Sequence, residues 1–367
     1  MRPKLAMVMN KLIRKRMGGS SSNFVADFPV TTREFPPDDH STDHQTTRSC
    51  LACRIFVGTW NVGGISPPAR MDLWEDWLGP LNDPSDVYVF GFQELVPLNA
   101  GNVLGSESGR VSRIWMNKIR EALEQGRSDG SFHCVVSKQM VGIFITVWAR
   151  EDVCEFISHP NVSCVGCGLM GCLGNKGSAS VRFLLRDTSI CLVCSHLASG
   201  GKEGDERRRN SDAAEILART SFPRCPSHNL PTKILEHDLV IWLGDLNYRI
   251  NLPYTTTRTL VEKANWNILL QGDQLKTEFA DGRVFQGWQE GTIDFLPTYK
   301  YYPNSRVYYG SALGKKSKRC RAPAWCDRII WFGEGLKQRS YDRGESTLSD
   351  HRPVRATFTA EIRQPLE

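Results

Sequence analysis

Two kinds of residue in this 367-residue chain are placed for chemistry on an anion: cations grouped in a loop, and acids, amides and histidines at the ends of apolar runs. The stretch Arg319-Cys320-Arg321-Ala322-Pro323-Ala324-Trp325-Cys326-Asp327-Arg328 follows a basic loop with Lys315, Lys316 and Lys318. It leads into the apolar run Ile329-Ile330-Trp331. A short strand there would carry Asp327 inward while the preceding loop stays at the surface. Cations able to grip an anionic substrate would then lie a few residues from an acid placed to work on it, which points to chemistry on a phosphate.

Five strand ends share a second feature. Thr59-Trp60-Asn61-Val62-Gly63 closes with an amide, Phe92-Gln93-Glu94 with a carboxylate, and Cys194-Ser195-His196-Leu197 with a histidine. Trp242-Leu243-Gly244-Asp245-Leu246-Asn247-Tyr248-Arg249 supplies Asp245 and Asn247 two apart, on one face of an extended chain. Leu348-Ser349-Asp350-His351-Arg352 adds an acid beside a histidine. Taken singly, each has an ordinary reading as a turn residue, a cap, a solvated end or a satisfied histidine. As a set at strand ends, where functional residues gather, they read differently. Oxygen donors and amides suit a hard divalent cation, and Mg²⁺ takes only one or two carboxylates with water and substrate phosphate. Sulfur ligands are missing from these positions, against zinc catalysis. There is no GxxxxGK[ST] phosphate loop, and Ser195-His196 lacks the glycines of a nucleophile elbow. Metal-assisted attack of water on a phosphate is the chemistry that fits.

Those ends need a scaffold. From Arg54 onward the chain is a succession of short apolar runs closed by polar residues or glycine, and 54–60, 87–92, 141–148, 179–185, 190–195, 239–243 and 354–358 read as strands. Val111, Ile114, Trp115, Ile119 and Leu123 recur at helical spacing, with Gly126 as the stop. Further helices are expected over Met71 to Leu78, Asn210 to Arg219 and Arg258 to Leu270. Strands outnumber helices, so simple βαβ alternation does not apply. Two sheets packed face to face with helices outside do. No internal repeat and no second domain boundary follow Arg54.

The net charge of +6 belongs to the leading segment rather than the body. Arg2, Lys4, Lys11, Arg14, Lys15 and Arg16 are six of the 46 basic residues, and the remaining 40 equal the 40 acidic ones. Leu5, Met9, Leu12 and Ile13 recur at helical spacing after Pro3. This suits a helix on an anionic membrane surface, a basic solvated tail, or an organellar presequence. Residues 20–50 read as linker. No run reaches the length of a membrane span, and Leu5 to Met9 is too short for a signal-peptide core. Twelve cysteines without an export signal read as reduced thiols of a cytoplasmic protein. Of the CxxC pairs Cys50/Cys53, Cys164/Cys167 and Cys191/Cys194, the last lies in a strand, where residues three apart face opposite ways and cannot chelate together.

With these residues in view, the chain resembles the inositol polyphosphate 5-phosphatases, in their compact plant form. That family shares a superfamily with apurinic endonucleases, DNase I and neutral sphingomyelinases. The likeness runs from about Arg54 to Phe358. It rests on Trp242 to Arg249 and Arg321 to Arg328, with support from Gly58-Thr59-Trp60-Asn61, Gly91-Phe92-Gln93-Glu94, Gly171 to Gly177 and Pro297-Thr298-Tyr299-Lys300-Tyr301. Gly200 to Asp205 matches the plant branch. The resemblance implies a four-layer α/β sandwich, two packed mixed β-sheets flanked by helices, with the active site at one edge. It implies a basic tail over 1–52, a catalytic domain over 53–360 and a C-terminal tail over 361–367.

The resemblance also implies roles. Glu94 is the main Mg²⁺ ligand with Asn61 beside it. Asp245 orients and deprotonates the attacking water, assisted by Asn247. His351 contacts the scissile phosphate with Asp327 as its carboxylate partner, and Asp350 and His196 complete the surroundings. Tyr299, Lys300, Arg319 and Arg321 match contacts to a neighbouring 4-phosphate, and Asn175 and Lys176 contacts to a 1-phosphate. A mobile glycine loop is the plainer reading of the segment before Asn175. Arg319 stands where animal relatives carry lysine, and the loop from Tyr302 to Lys318 is longer than theirs. The expected reaction is Mg²⁺-dependent removal of the 5-phosphate from phosphoinositides, above all phosphatidylinositol 4,5-bisphosphate, with soluble inositol phosphates as further substrates. The basic tail would hold the protein at the cytoplasmic face of an anionic membrane. The rivals are a nuclease or sphingomyelinase on the same scaffold, and an inactive phosphoinositide-binding module. A nuclease needs a cationic surface along a polymer backbone, which the neutral body does not offer, so no nucleic-acid partner is expected. A dead module should lack some of Glu94, Asp245, Asn247 and His351, and all are present.

Overall fold

Short runs of β-branched and aromatic residues favour a pleated, half-buried backbone, and here they pair into two sheets. The computed structural model describes residues 50–79, 84–97, 108–125, 131–168, 175–225, 229–310 and 321–364. The leading segment, Gly126, most of the glycine-rich stretch before Asn175, the lysine loop and Arg319 lie outside them. The strands are β1 Cys50–Asn61, β2 Val87–Gln93, β3 Phe132–Met140, β4 Ile143–Arg150, β5 Ile157–Gly166, β6 Gly177–Leu185, β7 Thr188–His196, β8 Leu239–Asp245, β9 Gln289–Glu290, β10 Asp327–Phe332, β11 Leu336–Arg343 and β12 Val354–Arg363. One sheet has the order β11-β12-β1-β2-β4-β3 and the other β5-β6-β7-β8-β10-β9. Cys50 pairs with Arg363 in the β1–β12 ladder, so the sheet extends beyond 53–360 at both ends.

Alternation sorts the side chains into layers. Ile55 and Val57 of β1 and Ile241 and Leu243 of β8 fill the space between the sheets. Phe56 and Trp60 turn outward onto Trp77 and Trp115, the latter on α1 (Ser108–Gln125). On the other side Val240 and Trp242 meet Ile216 of α2 (Asp205–Arg219) and Leu275. The expected four-layer sandwich is therefore the observed one. Cys191 packs outward and Cys194 between the sheets, as the strand geometry requires, and both are free thiols.

Two expected helices differ. Over Met71 to Leu78 only Trp74–Leu78 coils, as one wide π-type turn that Gly79 ends at φ 68°. The burial of Trp77 and Leu78 decides that geometry more than helix propensity does. The span from Arg258 to Leu270 breaks into α3 (Tyr254–Glu262) and α4 (Trp266–Gln271). The Asn265 side chain accepts from Ile268 N and starts a second helix, and Ala264 before it has φ 50°.

Close approach of the two sheets near the site depends on Gly91. A Cβ there would lie 2.6 Å from Leu243 Cδ1 and 2.9 Å from Cys194 Sγ. Within the second sheet, β10 is anchored by Arg328, whose side chain points away from that of Asp327. Its Nη1 reaches Asp273 Oδ2 at 2.9 Å, and its Nε reaches Glu290 Oε1 at 2.6 Å. Asp273 in turn caps α5 (Gln274–Ala280) by accepting from Lys276 N at 3.0 Å. All three charges are out of solvent. Removing one partner of a buried ion pair strands the others. Arg328→Ala should therefore cost about 3–5 kcal/mol in urea unfolding. An unchanged unfolding midpoint would show that β10 does not depend on this anchor.

Candidate active site

Register brings the polar strand ends together. β7 runs parallel and β10 antiparallel to β8, so His196, Asp245 and Asp327 form one row across three adjacent strands. In the facing sheet Asn61 lies opposite Gln93, and Glu94 follows directly. Glu94 and Asn247 both hold left-handed backbones, with φ 50° and 59°. That conformation is costly for residues other than glycine and gathers at functional sites.

Asp245 is the centre of the cluster. Its Oδ2 accepts from Asn61 Nδ2 at 2.9 Å and lies 3.2 Å from His196 Nε2 and 4.0 Å from His351 Nε2. Its Oδ1 accepts from Asn247 N at 3.1 Å. Burial alone would raise its pKa. His196, His351 and Lys176 outweigh burial and hold the carboxyl well below the usual range. Asp327 moves the other way, raised by burial. It accepts from Thr298 Oγ1 at 2.6 Å and from His351 Nδ1 at 2.9 Å. Burial would lower His351, but Asp327 and then Asp245 push it up to about 9. His351 is thus an imidazolium at neutral pH, with Nδ1–H given to Asp327 and Nε2–H free to face an anion. Two nearby carboxylates shifted in opposite directions is a pattern of divided labour.

Burial, then the charge of Lys176, lowers His196, which is therefore neutral near pH 7. Lys176 Nζ contacts His196 Nε2, and burial lowers Lys176 as well. The same ring nitrogen faces Asp245, and with a single proton site it bonds one of the two at a time.

The donors on the facing sheet suit a hard divalent cation. The Glu94 carboxylate accepts no hydrogen bond among the described residues and lies 3.9 Å from His196 Nε2. Asn61 turns Nδ2 to Asp245 and Oδ1 towards Gly63 N at 3.0 Å. A carboxylate with unused lone pairs beside an amide oxygen is a set that such a cation accepts. Asp245, Asp327 and His351 also offer ligand atoms within 4.8 Å of one another. Binding there would require His351 to give up the proton that both carboxylates hold on it.

The residues expected on the substrate side line the same edge. Lys300 Nζ donates to Asp350 Oδ2 at 2.6 Å and lies 5.5 Å from the Tyr299 ring centre. Tyr299 packs on His351 with ring centres 4.7 Å apart and bridges to both Ala324 and His351. The Arg321 guanidinium makes no hydrogen bond to the described residues, and its charge acts on both Tyr299 and Lys300. Asn175 Oδ1 is out of solvent and unpartnered among them. Lys176 sits against His196 in the floor of the site, and Asp350 pairs with Lys300 at its rim.

Three residues with no role assigned from sequence belong to this network. Thr298 holds Asp327. Ser349 donates to Asn61 O at 2.6 Å and accepts from His351 N at 3.0 Å, which ties the loop before β12 to the end of β1. Arg249 donates to Asn247 Oδ1 at 2.5 Å. Its place in the same short motif, two residues past Asn247, was the available signal, although the left-handed backbone at Asn247 and not an extended face brings the two together.

The sequence profile described as endonuclease/exonuclease/phosphatase family 2 matches residues 58–357. The type IV inositol polyphosphate 5-phosphatase 9 of Arabidopsis thaliana is 55% identical over 383 residues, covering 97% of this chain and 91% of the relative. The type I inositol polyphosphate 5-phosphatase 8 of the same plant is 48% identical, covering 88% and 74%. Among solved structures, the inositol polyphosphate 5-phosphatase domain of SPsynaptojanin in complex with inositol (1,4)-bisphosphate and calcium ion aligns with a TM-score of 0.75 at 29% identity. That alignment covers 99% of this chain and 92% of that one. The chain belongs to the endonuclease/exonuclease/phosphatase family 2 and, within it, to the inositol polyphosphate 5-phosphatases. It is a phosphatase of that group, with plant relatives.

A pH limit on activity is expected from the His351 proton. Its raised pKa means that the cationic form is complete at neutral pH and is lost as pH rises through about 9. Activity should fall over that interval. Asp327→Asn should draw the alkaline limb down towards the ordinary histidine value of 6.5. A pH–rate profile whose alkaline limb does not move in the variant would remove His351 as its source.

Proposed function

We propose that the chain hydrolyses the 5-phosphate of phosphatidylinositol 4,5-bisphosphate to give phosphatidylinositol 4-phosphate and inorganic phosphate, with Mg²⁺ as cofactor and soluble inositol polyphosphates as further substrates. The observation that carries the reading is one edge holding three things together. These are an ionised Asp245, a cationic His351 paired to Asp327, and the cations Lys300 and Arg321 set to one side. The SPsynaptojanin ligand supports it: inositol (1,4)-bisphosphate keeps the 1- and 4-phosphates and lacks the 5-phosphate.

In this reading Asp245 accepts a hydrogen bond from a water and orients it in line with phosphorus, taking its proton as attack proceeds. Asn247 adds an amide donor beside it. His351 directs Nε2–H at a phosphoryl oxygen, and its charge offsets the negative charge gathering there. The P–O bond to the inositol 5-carbon oxygen breaks. In net balance the water oxygen ends on phosphorus and a water proton on the departing oxygen. Glu94 and Asn61 would hold the divalent cation, which when bound polarises phosphoryl oxygen. Lys300, Tyr299 and Arg321, with Arg319 beyond the described residues, would hold the 4-phosphate, arginine by paired N–H donors. Asn175 would meet the 1-phosphate side, and Lys176, whose Nζ lies against His196, would act at the scissile phosphate instead. The basic residues at 2–16 would add attraction to an anionic cytoplasmic membrane face.

Phosphate release from vesicles carrying phosphatidylinositol 4,5-bisphosphate should require Mg²⁺, and Asp245→Ala should lower the rate by about 10³-fold. Vesicle binding without phosphate release would favour a binding module instead. Deleting residues 1–18 should weaken activity on anionic vesicles and spare a soluble inositol trisphosphate. Equal effects on both substrates would remove the membrane role of the tail.

A further inference from the structure

Arg249 has no part in the chemistry above, yet its charge lies inside the site. One Nη2–H goes to Asn247 Oδ1 at 2.5 Å, and the guanidinium carbon lies 4.3 Å from the centre of the Tyr299 ring. Its Nε is out of solvent and without a hydrogen bond among the described residues. A guanidinium has five donors and no acceptor. Whatever amide lies against it must turn its oxygen, and not its NH₂, towards it.

That constraint decides what Asn247 can present. Its Nδ2 gives one hydrogen to Leu197 O at 3.0 Å. Its backbone N is held by Asp245 Oδ1 at 3.1 Å and Cys326 O at 3.2 Å, and its backbone is left-handed. With Oδ1 on Arg249 and one Nδ2–H on Leu197, the one side-chain donor left uncommitted among the described residues is the second Nδ2–H. We propose that Arg249 is a positioning residue that clamps the Asn247 amide so that it can act only as a hydrogen-bond donor at the reaction centre. The proposal rests on the phosphatase reading above.

The chemistry explains why the clamp matters. Leu197 O is one tether on the amide and Arg249 the other. With one tether lost, the amide can swing and set oxygen lone pairs towards an anionic phosphate, which repels where a donor would attract. The planar guanidinium also lies against Tyr299, so one rigid group fixes both Asn247 and a residue of the substrate side. Lysine can donate to the amide but lacks that plane.

The test is a double-mutant cycle on the full chain with Arg249→Met, Arg249→Lys, Asn247→Ala and the Met/Ala pair. The assay is phosphate release from a short-chain, soluble phosphatidylinositol 4,5-bisphosphate with Mg²⁺, and thermal unfolding confirms folding of each variant. Arg249→Met should lower kcat by about 10- to 100-fold with KM little changed. The pair should be no worse than Asn247→Ala alone, since both act through one amide. Arg249→Lys should recover part of the loss. A rise in KM with kcat intact, or losses that multiply in the pair, overturns the proposal. A readout independent of turnover separates it from the reading it rests on. The Asn247 side-chain NH₂ signals of ¹⁵N-labelled protein, assigned by their absence in Asn247→Ala, should shift and exchange faster with solvent in Arg249→Met. Unchanged signals overturn the clamp even if catalysis falls. Changed signals in a protein whose wild type releases no phosphate keep the clamp and overturn the substrate reading.

Discussion

Two carboxylates, Asp245 and Asp327, stand opposite each other on neighbouring antiparallel strands, both removed from solvent. Like charges in that register repel, and burial penalises each one further. Much of the site can be understood as the answer to this constraint. His351 shares a proton with Asp327, while His196, His351 and Lys176 hold Asp245 ionised. The result is an asymmetric pair, one acid fully charged and one tied to an imidazolium. A cationic donor and an anionic acceptor thereby meet at a single edge.

The scaffold keeps this arrangement in place through register more than through local conformation. β8 is the shared neighbour of β7 and β10, so one strand aligns His196, Asp245 and Asp327 at once. Gly244 belongs to this alignment: at φ 149° its missing Cβ would otherwise lie 2.0 Å from Ser195 O. The second sheet must then approach closely enough for Asn61 to reach Asp245, and Gly91 permits it. On the far side of β10, Arg328 pairs its charge with Asp273 and Glu290 and so ties the strand to the cap of α5 and to β9. Two adjacent residues, Asp327 and Arg328, thus serve opposite faces, one chemical and one structural.

The sequence was most readable where a pattern is local. Central strands such as β2, β7 and β8 are continuous apolar runs because both faces are buried. The edge strands β3, β5, β9 and β11 were not recognised. β11 reads Leu-Lys-Gln-Arg-Ser-Tyr-Asp-Arg and β5 carries a proline and many polar residues, since an edge needs little apolar surface and avoids presenting it. Helix limits failed where capping and tertiary burial outweighed periodicity, at Asn265 and at Trp77. Among the site residues, polar groups at strand ends were visible as a set. Thr298 and Ser349 were not, because nothing about a lone hydroxyl in a loop reveals which distant carboxylate or carbonyl it will meet.

By itself, then, the sequence determined the inventory: which residue types could do phosphate chemistry, that they end strands, that strands dominate, and that the charge excess is confined to the leading segment. Only the tertiary structure decided what those residues become. The ionised state of Asp245, the raised pKa of His351, the commitment of Lys176 to His196 and the turn of the Asn247 amide towards Arg249 all depend on groups far apart in the chain or on burial. The physical reason is that residue type and spacing are local properties, whereas charge state and hydrogen-bond direction are set by neighbours at a few ångströms. In a sandwich of two sheets those neighbours come from opposite ends of the sequence.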